Sequence, residues 1–70
     1  MINNLFNPND PNLYLTTYSV AEVADILSCG KNYIYELLNS GKLHGFRQGK
    51  STWRIPQKAL IDYIKHVANI

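Results

Sequence analysis

The sequence predicts a small α+β fold made of three helices and a two-stranded β-hairpin. The chain has 70 residues, 46% of them apolar and 17% charged, which is typical of one small globular domain. Apolar residues recur at helical spacing in three segments, and two short strand-like segments flank a Gly-containing polar turn. Folding buries only about 60% of the surface of so short a chain, so a binding module is favoured over a large catalytic cleft.

Residues 1–17 are predicted to form an arm ahead of a domain over residues 18–70. Five asparagines and two prolines lie in this stretch and favour turns or a mobile arm over helix and strand. The apolar residues of the arm are expected either to pack on the core or to contact a partner, with the core preferred. They are Leu5, Phe6, Tyr14 and Leu15.

The first helix is predicted over about residues 20–28. Ser19 is followed three residues later by Glu22, which is the spacing of a capping box at a helix start. Apolar residues then recur at helical spacing. These residues are Val20, Val23, Ala24 and Leu27.

The second helix is predicted over about residues 31–39. Ser28, Cys29 and Gly30 form a short break before it, and Gly41 supplies a stop after it. Its apolar stripe consists of Ile34, Leu37 and Leu38. Two short helices joined by a three-residue turn with Gly match helix-turn-helix spacing, in which the second helix is free to enter a DNA groove. The alternative is an αα-hairpin with no DNA role.

After Gly41 the residue pattern changes from helical to strand-like. Leu43–Gln48 and Trp53–Ile55 are predicted to be two strands around a polar, basic tip. Pro56 is predicted to open a third helix, since its fixed φ is tolerated in a first turn, and this helix extends to about residue 67. Its apolar face consists of Leu60, Ile61, Ile64 and Val67.

These elements together predict a winged helix-turn-helix, with the hairpin as the wing. The three helices and the hairpin are expected to share one small hydrophobic core. The residues expected in it are Val20, Val23, Leu27, Ile34, Leu37, Leu38, Leu43, Phe46, Trp53, Ile55, Leu60 and Ile64. Trp53 is expected to pack there rather than to stack on a nucleic-acid base.

The exposed side of the second helix carries the candidate DNA-reading residues. With the apolar stripe turned inward, steps of 100° per residue place Asn32, Tyr35, Glu36 and Asn39 opposite it, with Lys31 and Tyr33 at the flanks. Asn makes bidentate bonds to adenine, Lys binds guanine or phosphate, and Tyr contacts phosphate or a thymine methyl group. Glu36 either accepts from cytosine or is turned aside. A merely solvated face is the alternative for the whole set.

The hairpin carries the residues that are candidates to contact the DNA backbone. They are Arg47, Lys50, Ser51, Thr52 and Arg54. A short basic loop of this kind tracks phosphates or reaches into the minor groove. Charged hairpin tips also serve only as protection for edge strands, which is the alternative here.

Charge is distributed unevenly along the chain. Residues 1–30 carry three acidic and no basic side chains, whereas residues 31–70 carry seven basic and two acidic ones. This asymmetry favours a polyanionic partner, although an ordinary solvated surface remains the alternative.

No catalytic arrangement is recognisable, so we expect neither enzyme activity nor a cofactor or metal. Cys29 is the sole cysteine, which excludes an internal disulfide, and together with His44 and His66 it cannot complete a four-ligand zinc site. Cys29 is expected to be a small buried residue of the turn. Without a signal peptide or a membrane-length apolar run, a reducing cytoplasmic setting with no membrane partner is expected.

Several motifs resemble the excisionase and MerR-type winged helix-turn-helix family over about residues 18–64. The motifs are Tyr18–Leu27, Ile34–Leu38, Gly41–Leu43, Phe46–Arg47, Gly49 and Trp53–Pro56. The resemblance implies a DNA-binding protein without catalysis, whose second helix enters the major groove while the wing contacts the neighbouring backbone or minor groove. Lys31, Asn32 and Tyr35 match family reading or phosphate positions, and Arg47 and Arg54 match wing positions that are usually basic.

The resemblance implies either an excisionase that bends DNA and works with an integrase, or a small phage or plasmid transcription regulator. A protein-interaction adaptor or antirepressor is the alternative from another class. The chain departs from the family at Ser28–Gly30, where Gly, an aliphatic residue and Ser are preferred, at Tyr33, where a small residue is usual, and at Glu36, which is often basic. The resemblance therefore implies no base preference. A module this small contacts limited DNA, so cooperative self-association on DNA is also expected.

Overall fold

A computed structural model describes residues 15–50 and 52–69 as three helices and a small three-stranded antiparallel sheet, in which β3 lies between β1 and β2. The elements in chain order are β1 (Thr17–Tyr18), α1 (Val20–Leu27), α2 (Lys31–Asn39), β2 (Phe46–Gln48), β3 (Thr52–Pro56) and α3 (Gln57–Ala68). This is the predicted winged helix-turn-helix, with one strand more than the sequence indicated.

The capping box at the start of α1 is confirmed. The Ser19 hydroxyl accepts from the Glu22 N–H at 3.1 Å, and the Ser19 N–H donates to Glu22 Oε1 at 2.8 Å. The helix ends at Leu27, one residue earlier than predicted, because Ser28 takes a left-handed conformation with φ 56°. The Cys29 N–H then donates to the Ala24 carbonyl at 2.9 Å, which closes the helix end.

Helix α2 has the predicted bounds. Gly41 follows it with φ +80°, a conformation that favours glycine and turns the chain away from the helix axis. The Leu43 N–H donates to the Leu37 carbonyl at 3.1 Å, so the chain folds back onto the end of α2. The N-cap residue Gly30 supplies no side-chain hydrogen bond.

The first wing strand is shorter than predicted, because Leu43 belongs to the turn that packs into the core rather than to the strand. Gly45 separates that turn from β2. A Cβ at Gly45 would lie 2.9 Å from Leu38 Cδ2 and 3.0 Å from the Arg54 carbonyl oxygen, so only glycine lets β3 and α2 approach this closely.

The third strand is the two-residue β1, which the sequence did not indicate. Thr17 pairs with Pro56 and Tyr18 with Ile55 in antiparallel register. Thr17, the last residue of the predicted arm, thus lies in the sheet. Residues 1–14 of that arm, including three of its four apolar candidates, lie outside the described residues. The fourth, Leu15, is 79% exposed, so the expectation that it packs on the core is wrong.

Helix α3 begins at Gln57, one residue later than predicted. Pro56, with φ −59°, ends β3 and occupies the N-cap position, and the Gln57 N–H donates to the Thr16 carbonyl at 2.8 Å. Val67, the last residue of the predicted apolar face, is 58% exposed. It is on the last turn of α3, whose residues 65–68 are all exposed.

The core lies between the three helices and one face of β3. Its buried residues are Val20, Val23, Ala24, Ile34, Leu37, Leu38, Leu43, Ile55, Leu60 and Ile61. Leu27, Trp53 and Ile64 pack against this cluster while only partly buried. The expectation that Phe46 joins the core is wrong, since 48% of it is exposed.

Strand register explains the position of Phe46. Phe46 is paired with Arg54, and directly paired residues share one face of a sheet. Arg54 alternates with Trp53 and Ile55, which face the core, so it points to the opposite face together with Phe46.

Candidate nucleic-acid interface

Helix α2 presents its candidate DNA-reading residues to solvent. Burial of Ile34, Leu37 and Leu38 orients the helix, and all six candidates are exposed. They are Lys31, Asn32, Tyr33, Tyr35, Glu36 and Asn39, which we call the reader face.

Helical geometry divides the reader face into a centre and two flanks. Asn32, Glu36 and Asn39 lie opposite the buried stripe. Tyr35, which was predicted to lie with them, is instead toward one flank, and Tyr33 is toward the other. The tyrosines are 40% and 49% exposed, respectively. The centre therefore offers two amides, which donate and accept, and one carboxylate, which only accepts when ionised.

The wing holds an arginine over an aromatic ring. The Arg47 guanidinium carbon lies 5.1 Å from the Trp53 ring centroid, and Arg47 Nη1 reaches the Lys50 carbonyl at 3.4 Å. Lys50 and Thr52 are exposed beside it, while Ser51 lies outside the described residues. The wing turn thus brings two cations, Arg47 and Lys50, to one end of the sheet.

Arg54, the remaining predicted wing contact, is engaged within the sheet. Its Nε donates to Thr17 Oγ1 and its Nη2 to the Thr17 carbonyl, both at 3.1 Å. These bonds join β3 to β1 across a separation of 37 residues. Arg54 is half-buried, in contrast to the exposed Arg47, and its bonds to Thr17 give it a structural role.

A groove of about 340 Å³ runs between α2 and α3 on the Tyr33 flank of the reader face. Its lining residues are Tyr33, Leu37, Lys42, Tyr63, His66 and Val67. Tyr63 packs against the core from α3.

Tyr63 and Tyr33 line the same groove between α3 and α2. The pKa of Tyr63 is raised above its ordinary value of 10.0, first because burial disfavours the phenolate, and then through the neighbouring Tyr33 and Cys29. The sequence analysis missed Tyr63. Tyr63 directly precedes Ile64, so the sequence could have indicated that it lies at the edge of the apolar face of α3. Helical periodicity does not show which residues of other elements such an edge residue contacts.

The model of the family described as "Helix-turn-helix domain" matches residues 17–67. The chain belongs to this helix-turn-helix domain family. The family includes excisionase-like proteins, and membership suggests that the chain binds DNA. Domains of this family are typically not enzymes. No curated protein and no solved structure matched the chain.

The helix-turn-helix match includes both the reader face and the wing. It begins at Thr17, whose carbonyl accepts a hydrogen bond from Arg54. Within residues 15–50 and 52–69, no helix is long and apolar enough to cross a membrane. No group of three His, Cys, Asp or Glu side chains in that part of the chain is placed to hold a metal ion. Cys29 is a free, half-buried thiol packed against the core.

Proposed function

We propose that this helix-turn-helix domain is a sequence-specific architectural factor of the excisionase type, which binds short sites in double-stranded DNA, bends them and assists an integrase. The single observation that carries the DNA-binding part is the exposed reader face of α2, because its buried stripe leaves every predicted reading residue accessible. An α-helix with such a face fits the B-DNA major groove, which is about 12 Å wide.

The reader face supplies sequence discrimination in this proposal. Asn32 and Asn39 have the donor and acceptor pair that recognises adenine, and Glu36 is an acceptor for cytosine. Lys31 lies at the start of α2, where it contacts guanine or phosphate. Base contacts of this kind are worth about 1–3 kcal/mol each in discrimination.

The wing supplies backbone contacts. Arg47 and Lys50 are exposed at the wing turn, whereas Arg54 is half-buried and two of its five N–H donors bond to Thr17 within the sheet. We therefore assign the wing contacts chiefly to Arg47 and Lys50, with Thr52 beside them. Such contacts fix the orientation of the domain on the duplex without reading sequence.

The proposed architectural role is supported by the small size of the domain and by its membership of the helix-turn-helix family. A single module of this kind buries only about 600–1,000 Å² on DNA, which favours cooperative binding of neighbouring copies and a partner such as an integrase. The family includes excisionase-like proteins, which supports the same choice. A small transcription regulator would use the same surfaces and differ in where its sites lie.

Selection from a mixed-sequence duplex library, followed by sequencing of the retained DNA, tests this proposal. We expect the DNA retained by the wild type to contain an enriched motif. Asn32→Ala should change the base preference at one position of that motif and leave the salt dependence of DNA affinity unchanged. Fluorescence energy transfer across the selected site should then report a bend, and tandem sites should bind cooperatively. Straight DNA and independent binding would contradict the architectural role, and sites confined to promoters would favour a regulator.

A further inference from the structure

Trp53 lies where the wing meets the reader helix. Its side chain packs against the core from β3 and is only partly buried. A Cβ at Gly45 would lie 3.4 Å from Trp53 Cε3 and 2.9 Å from Cδ2 of Leu38 on α2. The indole ring and the Leu38 side chain therefore approach the same glycine, which places the ring beside α2.

The same ring lies under the guanidinium of Arg47. The two residues are direct register partners in β2 and β3, and directly paired residues share one face of a sheet. The guanidinium carbon lies over the ring, 5.1 Å from its centroid, which is within the roughly 6 Å of a cation–π contact. Arg47 is thus restricted by its ring partner although the residue is exposed.

Stacking leaves Arg47 able to bind a phosphate. A cation–π contact uses the charge and the face of the guanidinium, whereas hydrogen bonds use the N–H groups in its plane. One of the five N–H donors, on Nη1, reaches the Lys50 carbonyl at 3.4 Å. Other donors of the planar group can therefore meet a phosphate oxygen while the guanidinium stays over the ring.

We propose that Trp53 is a positioning residue for DNA binding, which holds Arg47 in place relative to α2 so that the wing meets a phosphate while the reader face meets the bases. Trp53 acts through Arg47 and does not itself contact DNA. Because the stacked side chain is ordered before binding, less conformational freedom is lost when the phosphate contact forms. The inference rests on the proposed function, since it concerns how two DNA-contacting surfaces are held together.

A role in packing alone predicts a different pattern of affinities. If Trp53 only filled the core, its replacement would weaken DNA binding equally in the presence and absence of the Arg47 side chain. A positioning role acts only through Arg47, so its loss has no effect once that side chain is removed. Replacing Trp53 also removes no charge, so the salt slope of DNA binding is preserved.

The test is a double-mutant cycle that combines Trp53→Leu with Arg47→Ala. Fluorescence anisotropy with a labelled, selected duplex measures the affinity of each protein over a salt series. Trp53→Phe is the conservative variant, because it keeps an aromatic face. Ile64→Ala is the matched control, because Ile64 is also partly buried against the core but lies on α3, outside the wing and the reader face.

We expect Trp53→Leu to weaken DNA affinity by about two- to fivefold at an unchanged salt slope, which is the effect of a cation–π contact at an accessible site. In the Arg47→Ala background the same change should have no further effect. Trp53→Phe should retain most of the wild-type affinity, and Ile64→Ala should retain all of it.

Urea unfolding followed by circular dichroism verifies that each variant is folded. Trp53→Met, whose flexible side chain fills irregular core space, takes the place of Trp53→Leu in the cycle if the leucine variant is unfolded.

Equal losses of affinity with and without the Arg47 side chain would overturn the positioning role, and so would wild-type affinity in the folded Trp53 variant. A wild type that binds no duplex at low salt would instead contradict the proposed function. The two failures are therefore distinguishable in the same experiment.

Discussion

The guanidinium of Arg47 lies 5.1 Å from the ring centroid of Trp53, and the two residues are direct register partners in β2 and β3. A cation over an indole face at an accessible site is worth about 0.5–1 kcal/mol. The stacking also restricts a long side chain that would otherwise lose its freedom on binding DNA. Trp53 thus packs against the core, as predicted, and also holds the wing arginine.

Removing the two cations of the wing turn is expected to weaken the salt dependence of DNA binding. Each phosphate contact contributes about 0.9 to the log-log salt slope, so Arg47→Ala with Lys50→Ala should reduce its magnitude by nearly two. Binding titrations over a salt series measure this change. Lys58→Ala, which removes a cation paired with Asp62 on α3, is the control and should leave the slope unchanged. An unchanged slope in the double variant would show that the wing is not a phosphate clamp.

Arg54 is expected to act on stability rather than on DNA affinity. Arg54→Ala loses two hydrogen bonds to Thr17, and with them the attachment of β1, at a cost of about 1–3 kcal/mol in the free energy of unfolding. Urea unfolding followed by Trp53 fluorescence measures this loss. Arg54→Lys keeps the charge but cannot make both bonds, so it should also be destabilised. A stable lysine variant with a reduced salt slope would point to a DNA contact instead.

Ser28→Gly is expected to stabilise the protein by about 0.5–1 kcal/mol. Ser28 has φ 56° and ψ 48°, a left-handed conformation that costs a side-chain-bearing residue energy and costs glycine little. Ser40→Gly is the matched control. Ser40 has φ −85° and its hydroxyl donates to the Leu37 carbonyl at 3.2 Å, so this change should destabilise. Equal effects of the two substitutions in urea unfolding would contradict the conformational explanation.

Stability is expected to fall as the pH rises above about 10, in part because of Tyr63. The pKa of Tyr63 is raised in the folded protein, so the unfolded chain loses this proton first, near the ordinary value of 10.0. The stabilising contribution is therefore complete below that pH and is lost as the pH rises through the folded value. Urea unfolding between about pH 8 and about pH 11 should show a shallower decline for Tyr63→Phe than for the wild type. Identical declines would exclude this contribution.

The helices could be predicted from the sequence because their signals are local. The Ser19 and Glu22 capping box and the apolar periodicity of α2 lie within a few residues of the structure they specify. The reader face followed from the same periodicity, since the buried stripe determines which side of α2 is exposed.

The sheet could be predicted only in part, because its details depend on contacts between distant residues. Strand β1 has two residues, too few for an alternating pattern, and its partners are far along the chain. The face of Phe46 depends on register, which composition leaves open. For the same reason the bonds from Arg54 to Thr17 were not predicted.

Binding of the wild-type chain to a mixed-sequence duplex across a salt series, followed by fluorescence anisotropy, tests the central claim most directly. About four to six phosphate contacts from Lys and Arg predict a log-log slope of roughly −4 to −5. Weak binding at low salt with a flat slope would contradict DNA binding and would favour a protein-interaction module.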